Sequence, residues 1–296
     1  MRIFVTGATG FVGFAVVQEL IGAGHQVLGL ARSEEGARAL IAAGAEVHRG
    51  ELEDLEGLRR GAARSEGVIH TAFIHDFSKF AACCETDRLA IEALGSELVG
   101  SDRPLIVTAG VGHGTPGRLR TEDDPPAAPS AQMPRASEQA AAAVLARGVR
   151  VSVVRLPQVH DRVKQGLITY AIDVARERGV SAYLGEGLNR WAAVPRHDAA
   201  HVYRLALEKG AAGANYHAVA EEGVPFREIA EAIGRGLTVP VVSLPPEKAG
   251  EHFGWLASFA GGDMPASSAL TRERLGWHPT GPGLIADLDH VRYFGA

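Results

Sequence analysis

Near the start of the chain, Thr6-Gly7-Ala8-Thr9-Gly10-Phe11-Val12-Gly13 stands between a short apolar run, Met1-Arg2-Ile3-Phe4-Val5, and a stretch with helical character, Phe14-Ala15-Val16-Val17-Gln18-Glu19-Leu20. A strand that turns through spaced glycines straight into a helix is the opening of a parallel α/β unit. Gly7 allows the tight turn, Gly10 lets a diphosphate approach the main chain, and Gly13 lets the helix pack close to the sheet. Backbone N–H groups and the positive helix end then face a phosphate. An ordinary glycine-rich turn has the same residues. The context favours dinucleotide binding, because a second strand follows at once.

The pattern continues. Apolar runs at 1–5, 25–30, 45–48, 67–72, 104–108 and 149–155 read as strands, and 36–43, 55–63, 82–99 and 137–147 as helices. Near-continuous apolar strands alternating with helices require a parallel sheet covered on both faces. The expected fold class is α/β, a doubly wound parallel Rossmann sheet with a smaller C-terminal substrate lobe. After Pro157 the spacing predicts helices at 166–178, 197–207 and 225–234, strands at 214–219 and 239–244, and a polar loop at 185–195. The dinucleotide domain is expected to take residues 1–157 plus about 191–219, and the lobe about 158–190 and 220–296. Residues 115–134, rich in Pro, Ala and Asp, read as a loop or a lid ordered by ligand.

A net charge of −5, spread along the chain, argues against nucleic acid or an anionic membrane surface as main partner. No stretch approaches the roughly 18 apolar residues of a membrane span. A core strand at the N-terminus leaves no visible signal peptide. Cys83 and Cys84 are adjacent, which disfavours a disulfide, and two such ligands do not make a zinc site. They read as small apolar helix residues, and a cytoplasmic location is expected.

Choice of dinucleotide turns on the end of the second strand, where an acidic residue would hold the ribose 2′-hydroxyl of NAD. Leu30-Ala31-Arg32-Ser33 stands there instead. Arg32 can pair with a 2′-phosphate and Ser33 can donate a hydroxyl, so NADP is expected ahead of NAD. Glu34 and Glu35 are also within reach of a ribose, and Arg32 also reads as a solvated strand-end residue.

With these segments in hand, the chain resembles the extended short-chain dehydrogenase/reductase family of epimerase/dehydratase type, nearly end to end. Gly7–Gly13 matches its nucleotide motif. Gly50-Glu51-Leu52 is similar to its adenine-pocket Gly-Asp-Leu, and Val68-Ile69-His70-Thr71-Ala72 to the strand beneath the cofactor. Arg155-Leu156-Pro157 looks like its Arg-x-Pro, Val194-Pro195-Arg196-His197-Asp198-Ala199-Ala200 its Val-x-Val-x-Asp-x-Ala, and Leu275-Gly276-Trp277-His278-Pro279 its Leu-Gly-Trp-x-Pro. The resemblance implies a cofactor site made by Gly7, Thr9, Gly10, Phe11, Val12, Gly13, Arg32, Ser33, Glu51, Leu52, Thr71, Ala72, Phe73, Pro157 and Val159. It implies a possible homodimer through helices 82–99 and 137–147, whose alanine-rich faces permit close packing.

The family's Tyr-x-x-x-Lys pair aligns with Met133 and Ser137, its helper Ser with Gly110, and its helix Asn with Asp87. No Tyr lies between Phe80 and Val154. The closest match is the atypical branch, which keeps the nucleotide motif and loses the tetrad. Thr108, Asp87, His75 and His113 are then the candidate catalytic residues. His75-Asp76 reads as an acid/base pair or a polar loop. His113 and His160 read as acids or bases by position or as solvated side chains. Arg190-Trp191 reads as a grip on an anionic or aromatic group or as packing between lobes. His197 and His201 share a helix face, but no third ligand is placed, and no metal is expected. Two functions stay open: an NADP(H)-dependent oxidoreductase or epimerase acting on a small carbonyl or hydroxyl compound, and a nucleotide-binding sensor without turnover.

Overall fold

The computed structural model describes residues 1–112, 117–130, 134–290 and 294. In chain order the strands are β1 (Arg2–Thr6), β2 (Gln26–Ala31), β3 (Glu46–Arg49), β4 (Gly67–His70), β5 (Pro104–Gly110), β6 (Arg150–Leu156), β7 (Gln158–His160), β8 (Ser181–Leu184), β9 (Arg190–Pro195), β10 (Asn215–His217), β11 (Glu221–Pro225) and β12 (Val241–Leu244). The main helices are α1 (Phe11–Gly22), α2 (Glu34–Ala42), α3 (Leu55–Ala63), α4 (Phe80–Ser96), α5 (Ser137–Leu145), α6 (Gly166–Arg178), α7 (Arg196–Lys209) and α8 (Phe226–Leu237).

Seven strands form one sheet in the order β10-β6-β5-β4-β1-β2-β3, every pair parallel. The doubly wound Rossmann expectation holds. Strand order reverses between β1 and β4, and in such sheets the crevice at that point takes the ligand. Local chemistry supports the elements. Ser33 Oγ accepts from Gly36 N (3.1 Å) to cap α2, and Asp54 Oδ1 accepts from Gly57 N (2.9 Å) to cap α3. Phe4, Leu58, Ile91, Leu94 and Val107 belong to the core on one face of the sheet; Ile3, Val5, Val16, Leu205 and Trp277 belong to the core on the other. Ala140 and Ala141 of α5 face inward into the first of these cores.

The C-terminal half adds strands β7, β8 and β11, which the spacing does not predict, and it contradicts one expectation outright. Residues 185–195 are not a polar loop: β9 is a buried strand, parallel to β7 and antiparallel to β11. Its Trp-Ala-Ala-Val stretch is apolar and needs cover, and the polar residues that suggested a loop only flank it. Trp191 packs on Phe226 in a third core with Ile168, Ile172 and Ile229. β8 pairs with β12, a strand contact between residues far apart in the chain.

Candidate active site

Because the seven strands are parallel, the residues that follow them gather along one edge. Gly7, Thr9, Gly10, Phe11, Val12 and Gly13 form the turn from β1 into α1. Gly7 has φ +68, and Gly10 N donates to Gly7 O (2.8 Å). A Cβ at Gly7 would lie 2.7 Å from Ala72 N, and one at Gly13 2.0 Å from Gly7 O. The turn therefore packs onto Thr71 and Ala72, where Thr71 Oγ1 donates to Thr6 O (2.8 Å). The first turn of α1 has no side-chain cap and no acidic residue. Its N–H groups are free of side-chain acceptors, which fits a dinucleotide diphosphate.

At the ends of β2 and β3 lies an open cavity of about 730 Å³, lined by Ala31, Arg32, Glu34, Arg49, Gly50, Glu51 and Asp54. Leu52 is buried. Arg32 is exposed and makes no hydrogen bond or ion pair with a described residue. Arg49 was not among the sequence candidates. Its guanidinium donates to Ser33 O (2.7 Å) and pairs with Glu34.

At the other end, beyond β4 and β5, the sequence candidates separate. Thr108 is turned into the core: its hydroxyl donates to His70 O (2.7 Å) and meets Tyr203 OH (2.8 Å). Burial pushes the Tyr203 phenol far above its ordinary range, so it stays protonated. Asp87 is also fully buried. It accepts from His70 Nε2 (3.1 Å) and from Ser137 Oγ (2.5 Å). A carboxylate only accepts, so His70 donates from Nε2, while its Nδ1 meets the Thr6 hydroxyl (2.8 Å). Burial pushes the Asp87 carboxyl up. The His70 bond, the charges of His70 and Arg135 and the Ser137 bond outweigh it and hold the group below its usual range. Thr108 and Asp87 thus belong to the core, not to the cleft wall.

Arg135, which motif matching missed, is a cation at this end. Its guanidinium lies 4.5 Å from the centroid of the Phe73 ring. It donates to Ser137 Oγ (2.9 Å) and approaches Thr108 O (3.4 Å). His75 packs edge-on to Phe73, ring centroids 5.4 Å apart. Crowding by protein lowers the His75 pKa most, and the charges of Arg135 and Lys164 lower it further, against a hydrogen bond to the Phe73 carbonyl. Asp76 does not pair with His75: it caps a short turn, accepting from Ser78. His113 and Met133 lie outside the described residues.

The remaining candidates are structural. Burial lowers the pKa of His160, which is fully enclosed and bonded through Nδ1 to Asp287 (2.7 Å). Arg190 does not reach for a ligand, because Asp263 holds it (2.9 Å). Asp198 accepts from the backbone of Thr280 (3.1 Å) and Gly281 (2.8 Å) and so tethers the later chain to α7. Arg155, in the Arg-x-Pro segment, is buried against Glu138 (2.7 Å) and donates to His217 Nε2 (3.2 Å). No group of three metal-ligating side chains occurs among the described residues. No helix among them is long and apolar enough to cross a membrane.

Residues 3–81 match the NAD dependent epimerase/dehydratase family. An uncharacterized protein of Schizosaccharomyces pombe is 49% identical across 99% of this chain and 100% of its own length. The chain belongs to the NAD-dependent epimerase/dehydratase family. It is accordingly an NAD(P)-dependent protein of oxidoreductase or epimerase type. A second uncharacterized relative, from Saccharomyces cerevisiae, is 44% identical across 97% of this chain and 98% of its own. Among solved structures, the UDP-glucose 4-epimerase of Thermus thermophilus in complex with NAD superposes with a TM-score of 0.75 at 21% identity, covering 100% of both chains. That likeness concerns the fold.

Proposed function

We propose that the chain is an NADP(H)-dependent oxidoreductase acting on a small carbonyl or hydroxyl compound, with Arg135 and His75 at its reaction end. The observation that carries this reading is the Arg135 guanidinium stacked on Phe73, on the same sheet edge as the glycine turn. The bound coenzyme would supply or accept the hydride; the protein's share is orientation, charge and a proton. Arg135 is held by Ser137 and backed by the buried Asp87, so its charge is fixed in place before substrate arrives. Such a preset cation stabilises an oxyanion. His75 is the group that holds the proton. Its lowered pKa keeps the imidazole mostly neutral at pH 7. Reduction, which consumes a proton, is expected to slow as pH rises through the lowered His75 pKa, below 6.5, and oxidation to quicken over that same acidic window and level off by neutrality.

The preference for NADP rests on Arg32, unpartnered among the described residues at the rim of the β2–β3 cavity, with Arg49 beside it. Glu34, which could otherwise hold a ribose hydroxyl, is taken up by Arg49. Calorimetry with NADP, NADPH, NAD and NADH tests the coenzyme. NADPH consumption over a panel of aldehydes, ketones and sugars tests the chemistry. The expected result is turnover that falls in His75→Ala. Tight NADPH binding with no turnover would instead favour a sensor, a reading that the burial of Thr108 and Asp87 supports.

A further inference from the structure

Four basic side chains stand in the turn after β7 (Arg162 and Lys164), at the start of α7 (Arg196) and before α5 (Arg135), and they differ in one respect. Arg162 is 3.6 Å from Asp287, and Arg196 is 3.0 Å from Asp161. Lys164 and Arg135 have no carboxylate within ion-pair distance among the described residues. The turn explains why Lys164 is left over. Asp161 Oδ1 accepts from the backbone of Val163 (2.6 Å) and Lys164 (2.7 Å), and its other oxygen holds Arg196. The one acid in the turn is consumed by main chain and by a neighbour, and the ammonium of Lys164 reaches 6.0 Å from the centroid of Phe11. Across the cleft, Arg135 lies over Phe73. Asp87 balances part of the Arg135 charge from beneath, through Ser137.

We infer that the substrate is itself an anion: a short carbonyl or hydroxyl compound carrying a carboxylate or phosphate, whose charge is received by Lys164 while its reacting carbon lies against the Arg135–Phe73–His75 wall. Lys164 has no counter-charge among the described residues and Asp87 meets only part of the Arg135 charge, so the two cations repel each other, and an anion relieves that repulsion. Lys164 lies against Phe11 of the glycine turn, that turn packs on Thr71 and Ala72, and Arg135 covers Phe73, the next residue, so both cations border one end of the cleft. The anionic group and the reacting carbon must then be only a few bonds apart. This inference rests on the oxidoreductase reading.

The test uses the NADPH-loaded protein and ligands that cannot be reduced. Fluorescence of bound NADPH is followed during titration with oxamate, with its neutral analogue oxamide, and with methylphosphonate. Oxamate or methylphosphonate is expected to bind about tenfold more tightly than oxamide, as for a charge-assisted contact; which of the two wins separates a carboxylate from a phosphate substrate. Lys164→Met should erase the preference and leave NADPH affinity unchanged, and Lys164→Arg should restore it. Equal binding of charged and neutral ligands, or no anion binding at all, would overturn the inference. So would a Lys164→Met protein that loses NADPH in step with oxamate, which would assign the ammonium to the coenzyme diphosphate. Failure of the unaltered protein to bind NADPH would instead strike the oxidoreductase reading, and the two failures are told apart in the first titration.

Discussion

The two ends of the cleft are made of different material. At the proposed nucleotide end the groups are main-chain atoms: the Gly7–Gly10 turn, the N–H groups of α1, and the Thr71–Ala72 backbone against which the turn packs. At the proposed reaction end they are side chains drawn from separate segments, with Phe73 and His75 after β4, Arg135 before α5 and Lys164 after β7. A site made of backbone survives only while the glycines that permit it stay in place. A site made of side chains can be rewired, a cation moved by two positions, without disturbing the sheet.

Gly13→Val is the harshest way to break this contrast. Its Cβ would meet Gly7 O at 2.0 Å and Thr71 Oγ1 at 2.6 Å. Coenzyme binding should vanish in calorimetry, and chemical denaturation should register a loss of about 3 kcal/mol from overpacking. Normal binding by this variant would refute the main-chain account. Arg135→Leu comes next: kcat should drop by about 10²–10³-fold, the effect of removing one oxyanion donor, with coenzyme affinity unchanged. A loss of affinity with kcat intact would move Arg135 to the nucleotide end.

Acid sharpens the contrast from a third direction, the buried end of β10. His217 is buried neutral; burial is the main cause that lowers its pKa to about 4, with the charge of Arg155 adding to it. Between pH 6.5, the ordinary value of a histidine, and about 4, the unfolded chain binds a proton that the folded chain refuses. Stability is therefore complete above about pH 6.5 and declines as pH falls through that window, by about 3 kcal/mol in all. His217→Gln should flatten the slope of denaturation midpoint against pH; an unchanged slope would remove His217 as its source. The smallest effect expected is in Arg32→Ala, about tenfold weaker NADPH binding with NADH unaffected, as for one charge-assisted contact. Equal loss for both coenzymes would assign Arg32 to something other than the 2′-phosphate.

The sheet was readable because buried parallel strands are continuous apolar runs, and α3 and α6 fall where the spacing predicts. What escaped depends on partners far along the chain. β9 is legible only once β7 and β11 are known to cover it. Arg190-Trp191 has the composition of a ligand grip, yet Asp263, 73 residues later, claims the arginine. Arg135 was invisible to motif matching because its role depends on Phe73 and Ser137 being brought to it, and no fixed spacing encodes that.

Trp277 is fully buried in the core that also holds Ile3, Val5 and Leu205, and its indole N–H donates to Asp198 O (3.1 Å). During synthesis on the ribosome the strands β1 to β6 emerge early, but the hydrophobic layer beneath them stays open until residue 277 has left the exit tunnel. The nascent chain thus carries an unfinished interior through most of translation, a stage at which holding chaperones have surface to bind.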